Sequence, residues 1–485
     1  MISLLVTLAT AVMVHFGAGL HPYAVVAWLI PLPALLLAAR RNRSRAWIAA
    51  AAGTALGFAE LWGYCRRSLE MPVPLVLGYL ALPAVILGLV VAGFAVLVRR
   101  GRLIEAMFWV PAAWTAAEYA IAALTPAGTF LSLANSQTGV RPMLNLAALT
   151  GSWGITFLLM LVPAAVTVLA VPRPASTPGM PEVERHRRRL AIAAVVPIVL
   201  GLGYGTWAAS RPPAPASLRV AMIARPGPAG YPEEIDALPG VRLVVLPETT
   251  FATDDTTRAG ALDTLRRPGL AVVTGLRDSS AAGTRNLAVL VEGTAQPVVY
   301  AKQHLIPGVE DAFQPGDGSV VAGSVDGTVV RLLVCKDLDF PAAVRRAGAE
   351  DLLVAPAWDF HDDARLHARI ALLRAVENGV PLVRTARDGE LLAADRTGRI
   401  LGETTQPGDY TGVATGNAKL VVDVPVSRDT QPTPYRRFGD WFAWLCLLIA
   451  ATALSRARVW RRELAPDRWY RHGPPGGAAG LPSGV

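Results

Sequence analysis

Residues 331–341 read RLLVCKDLDFP, and the other candidate functional residues of the chain are interpreted around this stretch. The apolar run that ends at Cys335 predicts a buried strand, and Asp337, Asp339 and a Phe-Pro turn follow it at once. A strand that delivers one thiol to a polar turn is a common way to present a nucleophile. A lone cysteine at a strand end is equally compatible with a buried structural thiol, so other residues must decide between the two interpretations.

Two further apolar runs end in residues that could serve such a thiol. VVLPETT places Glu248 just past one run, and VVYAKQHLIPGVE places Lys302 just past another. A cysteine nucleophile needs a base to take its proton and a cation to hold the developing oxyanion. A carboxylate whose pKa is raised by burial can be the base, and a lysine can be the cation. If the strands share a sheet, we expect Glu248, Lys302 and Cys335 to converge at one edge.

The composition indicates a membrane block joined to a soluble block. The 485 residues exceed one ordinary domain, and 52% of them are hydrophobic while 17% are charged. The mean hydropathy of +0.38 is too high for a soluble enzyme of this length and too low for a chain that lies wholly in a membrane. The formal charge of +9 is carried by arginines next to apolar segments, which favours cytoplasmic anchoring over nucleic-acid binding.

The cysteines and glycines give no sign of a metal or a nucleotide cofactor. The three cysteines, Cys65, Cys335 and Cys446, cannot form a disulfide framework, and they show no CxxC or Cys/His metal spacing. Neither GxGxxG nor GxxxxGK[ST] occurs in the chain. We therefore expect no metal and no cofactor, with Cys335 as a free thiol.

Apolar segments dominate the first 210 residues. A bilayer crossing needs about 20 apolar residues, and seven segments of that kind precede the soluble block, with a shorter eighth after it. This pattern predicts a polytopic α-helical membrane domain over 1–210, an α/β domain over 216–428, a C-terminal transmembrane helix over 438–455 and a basic cytoplasmic tail over 456–485. The predicted segments are 2–20, 23–39, 46–64, 72–98, 104–124, 153–171, 190–209 and 441–454.

The distribution of arginine among the loops predicts which side of the membrane each loop occupies. The loops after the second, fourth, sixth and eighth segments are rich in arginine, whereas the alternate loops carry little charge. Cytoplasmic loops are the arginine-rich ones, so both termini are expected inside and the soluble block outside. The arginines concerned are Arg40, Arg41, Arg43, Arg45, Arg99, Arg100, Arg102, Arg173, Arg185, Arg187, Arg188, Arg189, Arg456, Arg458, Arg461, Arg462, Arg468 and Arg471.

Residues 125–154, between the fifth and sixth segments, are only moderately apolar and lie on the same side as the soluble block. Polar residues at membrane depth are costly unless they line a cavity. One interpretation is the wall of a lipid-entry cleft, which would include Glu118, Asn135, Gln137 and Trp153. An ordinary re-entrant or interfacial loop explains the composition equally well.

The soluble block reads as short Val/Leu-rich strands with a few helices. The clearest helix runs over 363–379, with an apolar stripe at Leu366, Ile370, Leu373 and Val376. Further helices are predicted over 256–267 and from 342 to 346. Several strands follow one another directly as hairpins, which favours an α/β or α+β mixed sheet or sandwich over a simple parallel sheet.

Three motifs now resemble the nitrilase, or carbon–nitrogen hydrolase, superfamily. They are PE at 247–248, KxHLxP at 302–307 and CxDxxFP at 335–341, and their order and spacing are similar to the superfamily's. Such a block on the outer face, between membrane segments, resembles the apolipoprotein N-acyltransferase family. Members usually carry Tyr-Glu after the cysteine, where this chain has Lys336-Asp337. Further residues that match the family's pattern are His367, Arg374, Ala375, Glu377, Arg384, Gly389, Asp395 and Gly398.

The resemblance implies a fold, a reaction and roles for residues. The fold would be an extracytoplasmic α-β-β-α sandwich attached to a multi-pass domain in a bacterial inner membrane. Cys335 would be the nucleophile and acyl carrier, Glu248 the general base and Lys302 the oxyanion stabiliser. A fatty acyl chain would pass from a phospholipid through a cysteine thioester to the amine of a diacylated lipoprotein, with no nucleic acid involved. Residues expected to support the site or bind substrate are Glu310, Asp337, His304, Trp153 and Trp358.

Two other functions remain open from the sequence. One is a membrane-tethered amidase of the same superfamily, and the other is a non-catalytic module that binds a partner in the membrane. Individual residues also keep alternatives. His304 is compatible with a packing role beside the lysine, and Asp337 with either a turn or a hydrogen bond near the thiol.

Overall fold

The computed structural model describes residues 1–40, 45–170, 180–346, 348, 350–408, 413–427 and 431–463. Several sequence predictions fall outside these residues. They are the arginines Arg41, Arg43, Arg173, Arg468 and Arg471, the end of the α/β domain at 428, and the tail beyond residue 463.

The described part of the first 210 residues is mostly helical. Short 3-10 turns at Phe58–Glu60 and Leu133–Gln137 interrupt the α-helices. The α-helices are α1 Ile2–Gly17, α2 Ala24–Ala27, α3 Leu32–Ala38, α4 Ala46–Gly57, α5 Leu61–Arg67, α6 Val73–Arg99, α7 Leu103–Leu124, α8 Arg141–Thr150, α9 Ser152–Ala170 and α10 Met180–Ala209.

Helix length and composition support a membrane domain. Among the described residues, three helices are long and apolar enough to cross a bilayer, namely Val73–Arg99, Ser152–Ala170 and Arg187–Ala209. Shorter apolar helices cover Ile2–Gly17, Ala24–Ala38 and Trp441–Arg456. The full number of crossings and their sidedness stay predictions.

The predicted segment over 23–39 is broken in the middle. A turn separates α2 from α3, and Pro31 and Pro33 stand at the start of α3. Proline lacks the backbone donor that a continuing helix needs and is favourable in a first turn. Hydrophobicity therefore predicts an apolar segment over 23–39 but does not predict the turn between α2 and α3.

The second half of the chain alternates strands with short helices and returns to an apolar helix at its end. The strands are β1 Ala216–Ala224, β2 Leu243–Val245, β3 Phe251–Asp254, β4 Ala271–Ser280, β5 Gly283–Glu292, β6 Val298–Ala301, β7 Ala322–Val325, β8 Thr328–Leu332, β9 Leu352–Trp358, β10 Leu382–Arg387, β11 Glu390–Ala394, β12 Ile400–Thr405 and β13 Ala418–Val426. The helices are α11 Tyr231–Asp236, α12 Arg258–Asp263, α13 Pro341–Arg345, α14 Ala364–Asn378, α15 Pro434–Phe438 and α16 Trp441–Glu463.

These strands form two mixed sheets. The first has the order β13-β1-β2-β4-β5-β6, with β3 beside β4, and the second has the order β12-β11-β10-β9-β8-β7. Strands β1, β2 and β4 run parallel, as do β8, β9 and β10, and the outer strands are antiparallel. The expected mixed sheet is confirmed, and parallel central strands place their carboxyl ends at one edge.

Side-chain alternation in β1 shows how the layers stack. Val220 and Met222 pack in the core shared by both sheets, whereas Ala221 and Ile223 pack toward α11 and α12. On the far face of the second sheet, Leu353 and its neighbours pack against α13 and α14. The order of layers is therefore helix, sheet, sheet, helix.

Helix α14 is buried on both sides. Its Ala371 and Ala375 face the second sheet. The predicted stripe of Leu366, Ile370, Leu373 and Val376 instead joins the core of the membrane block. The stripe thus marks a junction between the two halves of the molecule.

The predicted helix over 256–267 is shorter than expected. The structure has only Arg258–Asp263, because the Asp254 carboxylate accepts hydrogen bonds from the backbone N–H groups of Thr256 and Thr257. Such a local turn competes with helix formation at its start.

Candidate active site

Glu248 lies three residues past the end of β2, where the ends of the two sheets meet. Its backbone N–H donates to the carbonyl of Ala357 at the end of β9, at 3.2 Å. Gly275 of β4 packs directly under it, and a Cβ at residue 275 would stand 2.5 Å from the Glu248 Cα. The close approach of these two backbones therefore requires glycine at 275 and fixes where the carboxylate lies.

Lys302 follows β6 and is enclosed by two carboxylates. Its Nζ lies 2.9 Å from Glu248 Oε1 and 2.8 Å from Glu310 Oε2, and only 1% of the side chain is exposed. Its backbone N–H donates to the carbonyl of Asn286 on the neighbouring strand β5, at 2.9 Å. The pairing of β5 with β6 thus fixes the position of Lys302 in the site.

Asn286 completes this group and was not foreseen from the sequence. Its Nδ2 donates to Glu248 Oε1 at 2.6 Å and to Glu310 Oε1 at 2.8 Å. One amide and one ammonium therefore hold both carboxylates in place. The only signal in the sequence is a polar residue at the start of the apolar run NLAVLVE.

Cys335 follows β8 and opens the 3-10 turn Cys335–Asp339 with a φ of +41°. That conformation costs about 1–2 kcal/mol for a residue with a Cβ, and it turns the chain sharply where the strand ends. The Sγ lies 3.6 Å from the carbonyl oxygen of Trp358, and the residue is almost fully buried. The thiol is therefore held at the end of the sheet, next to β9.

Burial and charge act together on the three groups. Burial raises the pKa of Glu248, while the nearby Lys302 ammonium opposes that rise. Burial also raises the pKa of the Cys335 thiol, and Glu248 adds to the effect. Burial alone would lower the pKa of Lys302, but the negative charges around it, Glu248 first among them, raise it instead. The lysine thus stays cationic, and the raised pKa makes Glu248 a stronger base than a free glutamate.

Asp337 ties the cysteine turn to the lysine loop. It is fully buried and accepts hydrogen bonds from the Tyr300 hydroxyl at 2.8 Å, from the backbone of His304 at 2.9 Å and from the backbone of Val334 at 3.2 Å. The His304 ring lies 2.9 Å from it through Nδ1 and stacks on Phe340. Both residues hold the two loops together.

The two predicted tryptophans lie in different places. Trp358 is 38% exposed beside the thiol, and its ring lies under the guanidinium of Arg387 at 3.9 Å. Trp153 is buried outside the cavity, where its Nε1 donates to Asp440 at 2.9 Å. Trp153 therefore anchors the junction with α16, whereas Trp358 forms part of the site.

A buried ion pair supports the thiol from the β10 side. Arg384 forms a two-pronged pair with Asp359, and both side chains are almost inaccessible to water. Burial raises the pKa of Asp359, and Arg384 opposes that rise. The Arg384 charge also opposes the rise in the pKa of Cys335.

A cavity of about 380 Å³ leads from the thiol into the membrane block. Cys335, Lys336, Trp358 and His367 lie at its catalytic end. Aliphatic and aromatic residues of α6 and α7 form most of the remainder, together with the loop over 125–132. They include Leu75, Gly78, Tyr79, Leu82, Pro83, Ile86, Trp114 and Ile121.

Glu118 lies in the wall of this cavity and fixes the loop that closes it. One carboxylate oxygen accepts hydrogen bonds from Trp114 at 2.8 Å and the Leu133 backbone at 3.0 Å. The other accepts from Ser132 at 2.8 Å and Thr156 at 2.9 Å. Of the two interpretations of residues 125–154, the structure favours a cavity wall for 125–132.

The chain is similar to known proteins over both halves. The family model of the apolipoprotein N-acyltransferase N-terminal domain matches residues 5–165. An apolipoprotein N-acyltransferase of Geobacter metallireducens is 26% identical over 509 residues, which cover 92% of each chain. One of Caulobacter vibrioides is 24% identical over 390 residues, 67% of this chain and 68% of that protein. Among solved structures, an amidase from Nesterenkonia sp. is 24% identical with a TM-score of 0.38, covering 47% of this chain and 95% of the amidase.

Proposed function

We propose that this chain is an apolipoprotein N-acyltransferase, which moves a fatty acyl chain from a phospholipid to the N-terminal amine of S-diacylglyceryl-cysteine lipoproteins. The family model over residues 5–165 and the relative that covers 92% of the chain support the proposal. The observation that carries the proposal is the apolar cavity that ends at the Cys335 thiol. A slot between membrane helices suits an acyl chain that enters from a bilayer. An amidase acting on small soluble amides has no use for it.

In the first half-reaction the Cys335 thiol gives its proton to Glu248, and Sγ attacks the ester carbonyl carbon of the phospholipid. The Lys302 ammonium stabilises the oxyanion that forms. The ester C–O bond then breaks, the proton on Glu248 passes to the departing lysophospholipid, and the acyl chain remains as a thioester.

In the second half-reaction the lipoprotein amine attacks the thioester carbonyl and gives a proton to Glu248. The C–S bond breaks, the amide forms, and the proton returns to the Cys335 sulfur. Water would hydrolyse the thioester, so the site must exclude water between the two half-reactions. The near-complete burial of Glu248, Lys302 and Cys335 supports such a dry site.

The test separates the two half-reactions. The purified full chain is incubated with a phosphatidylethanolamine and no acceptor. The protein is then digested, and the mass of the peptide that contains Cys335 is measured by mass spectrometry. We expect a stable acyl adduct that disappears when an S-diacylglyceryl peptide is added and reappears on its amine. Cys446→Ala, which changes a buried thiol in α16, should behave like the wild type, whereas Cys335→Ala should form no adduct.

Steady hydrolysis of amides without a retained acyl group would favour the amidase instead. Full lipoprotein acylation by Cys335→Ala in a strain that lacks the wild-type gene would contradict any enzymatic role of this thiol.

We also propose that the catalytic domain lies on the outer face of a bacterial inner membrane, with both termini in the cytoplasm. The arginine distribution supports this orientation. A fusion of alkaline phosphatase after residue 214 should be active, and green fluorescent protein at the C-terminus should fluoresce. An inactive phosphatase fusion together with a non-fluorescent C-terminal fusion would contradict the proposed orientation.

A further inference from the structure

Lysine is rare in this chain, and its placement is uneven. Of the 46 basic residues only three are lysines: Lys302, Lys336 and Lys419. Lys302 belongs to the catalytic group, and Lys336 follows the nucleophile directly and lines the same cavity. Arginine and lysine differ in shape and hydration, so a compact ammonium in this arginine-rich chain points to a site that needs a point charge.

The surroundings of Lys336 leave much of its charge uncompensated. Its Nζ lies 3.5 Å from Asp339 Oδ2, farther than the 2.7–2.9 Å typical of a strong charged hydrogen bond. Asp339 is also shared, because its Oδ1 lies 3.4 Å from His367 Nδ1. The other ring nitrogen of His367 lies 3.3 Å from Asp363, which also accepts from the Tyr64 hydroxyl at 2.6 Å.

The cations of this group face the cavity and the anions lie behind them. Among the described residues that line the cavity are Lys336 and His367, but not Asp339 or Asp363. Burial alone would lower the pKa of His367, but Asp363 and Asp339 raise it to about 10, so the ring is cationic at neutral pH. The cavity wall beside the thiol is therefore positive, while the remote Glu118 is already held by four donors.

We infer that Lys336 binds the phosphate of the acyl donor, so that the enzyme selects glycerolipids that carry a phosphate over those that do not. The inference rests on the proposed function, because it assigns a headgroup site to the same donor. In this arrangement the donor's ester carbonyl lies at Cys335 and its acyl chain lies between α6 and α7. The glycerophosphate then extends from the ester along the part of the cavity wall that Lys336 lines. His367 acts indirectly: it shares Asp339 and leaves the Lys336 ammonium available.

The test measures thioester formation on Cys335 with donors that differ only in the phosphate. The full-length protein in one detergent receives either dipalmitoyl phosphatidate or dipalmitoylglycerol, at concentrations well below saturation. We expect the wild type to prefer the phospholipid by roughly 10- to 150-fold, since a hydrogen bond to a charged group contributes about 1.5–3 kcal/mol and every 1.4 kcal/mol is tenfold. Lys336→Met should lose that preference by slowing the phospholipid reaction alone, and Lys419→Met, which changes an exposed side chain of β13, should keep it.

Three outcomes would overturn the inference. The wild type could acylate Cys335 equally fast from both donors. This comparison uses no variant, so a folding defect cannot explain its result. Lys336→Met could slow both donors by the same factor. If no lipid acylated wild-type Cys335 at all, the proposed function itself would fail, a result distinct from the other two.

Discussion

Among single residues, we expect Glu248, the proposed general base, to set the pH dependence of the proposed first half-reaction. A general base must be ionised, and burial raises the pKa of Glu248 above the 4.5 of a free glutamate. Thioester formation should therefore be fast above the raised pKa and be lost as the pH falls through it. Glu248→Gln should slow the reaction by roughly 10²–10⁴-fold and abolish this acid limb.

Stopped reactions at a series of pH values, analysed for acylated Cys335, measure both effects. Glu233→Gln, an exposed glutamate of α11, is the matched control and should leave the profile unchanged. An acid limb that persists unaltered in Glu248→Gln would assign the ionisation to another group.

The same scale shows what sequence patterns can and cannot reveal. Glu248, Lys302 and Cys335 each follow an apolar run, so their convergence at a sheet edge could be predicted. Asn286 could not, because its role depends on how β5 pairs with β6 across a turn. The Lys336 cluster also escaped prediction, since Asp339 and His367 meet only after α14 packs against the cysteine turn.

At the scale of elements, helix α6 should determine the length of the acyl chain. Gly78 lines the cavity, and a Cβ there would meet no atom within 4 Å. Gly78→Leu should therefore fold well and shorten the slot. Losing the burial of about two methylenes, at about 0.8 kcal/mol each, corresponds to a shift of roughly tenfold toward shorter chains.

Competition between lauroyl and palmitoyl phosphatidylethanolamines for Cys335 measures this shift directly. Gly203→Leu is the control, because Gly203 in α10 is equally open but lies outside the cavity. If Gly78→Leu kept the wild-type ratio of acyl chains, the chain would have to lie elsewhere.

At the scale of the whole molecule, His367 joins the catalytic turn, α14 and the membrane helix α5. Its ring is held between Asp339 and Asp363, and the latter also binds Tyr64. His367→Gln removes the cation that two buried carboxylates share, and of the two only Asp339 keeps another, Lys336. Removing one partner of a buried ion pair costs about 3–5 kcal/mol. We expect a lower Tm in detergent.

The pH dependence of that loss has a defined sign. The pKa of His367 is raised from 6.5 to about 10 on folding. Its stabilisation is therefore complete below about pH 6.5 and is lost as the pH rises through about 10. The Tm difference between wild type and His367→Gln should shrink over this range, whereas the exposed His21→Gln should show no difference. A constant difference would mean that the ring acts only by packing.

Prediction of the whole molecule from the sequence succeeded for the secondary structure that one pattern specifies. Apolar runs predicted helices in the first 210 residues and direct hairpins predicted the mixed sheets. The domain bounds and the orientation inferred from the arginine-rich loops stay predictions. The broken segment at 23–39 depended on Pro31 and Pro33 instead of hydrophobicity. The sequence predicts that Trp153 supports the site or binds substrate, whereas its indole Nε1 donates to Asp440, a partner 287 residues away that no local pattern identifies.

Helix α14 has a consequence for how this enzyme can be handled. Leu366, Ile370, Leu373 and Val376 are packed into the core of the membrane block. Excising residues 216–427 would bring four aliphatic side chains into water at about 1.5–3 kcal/mol each and create a sticky patch beside the active site. Crystallisation, directed evolution and inhibitor screening therefore require the intact, detergent- or lipid-embedded chain, because the catalytic domain has no water-compatible surface where that helix lies.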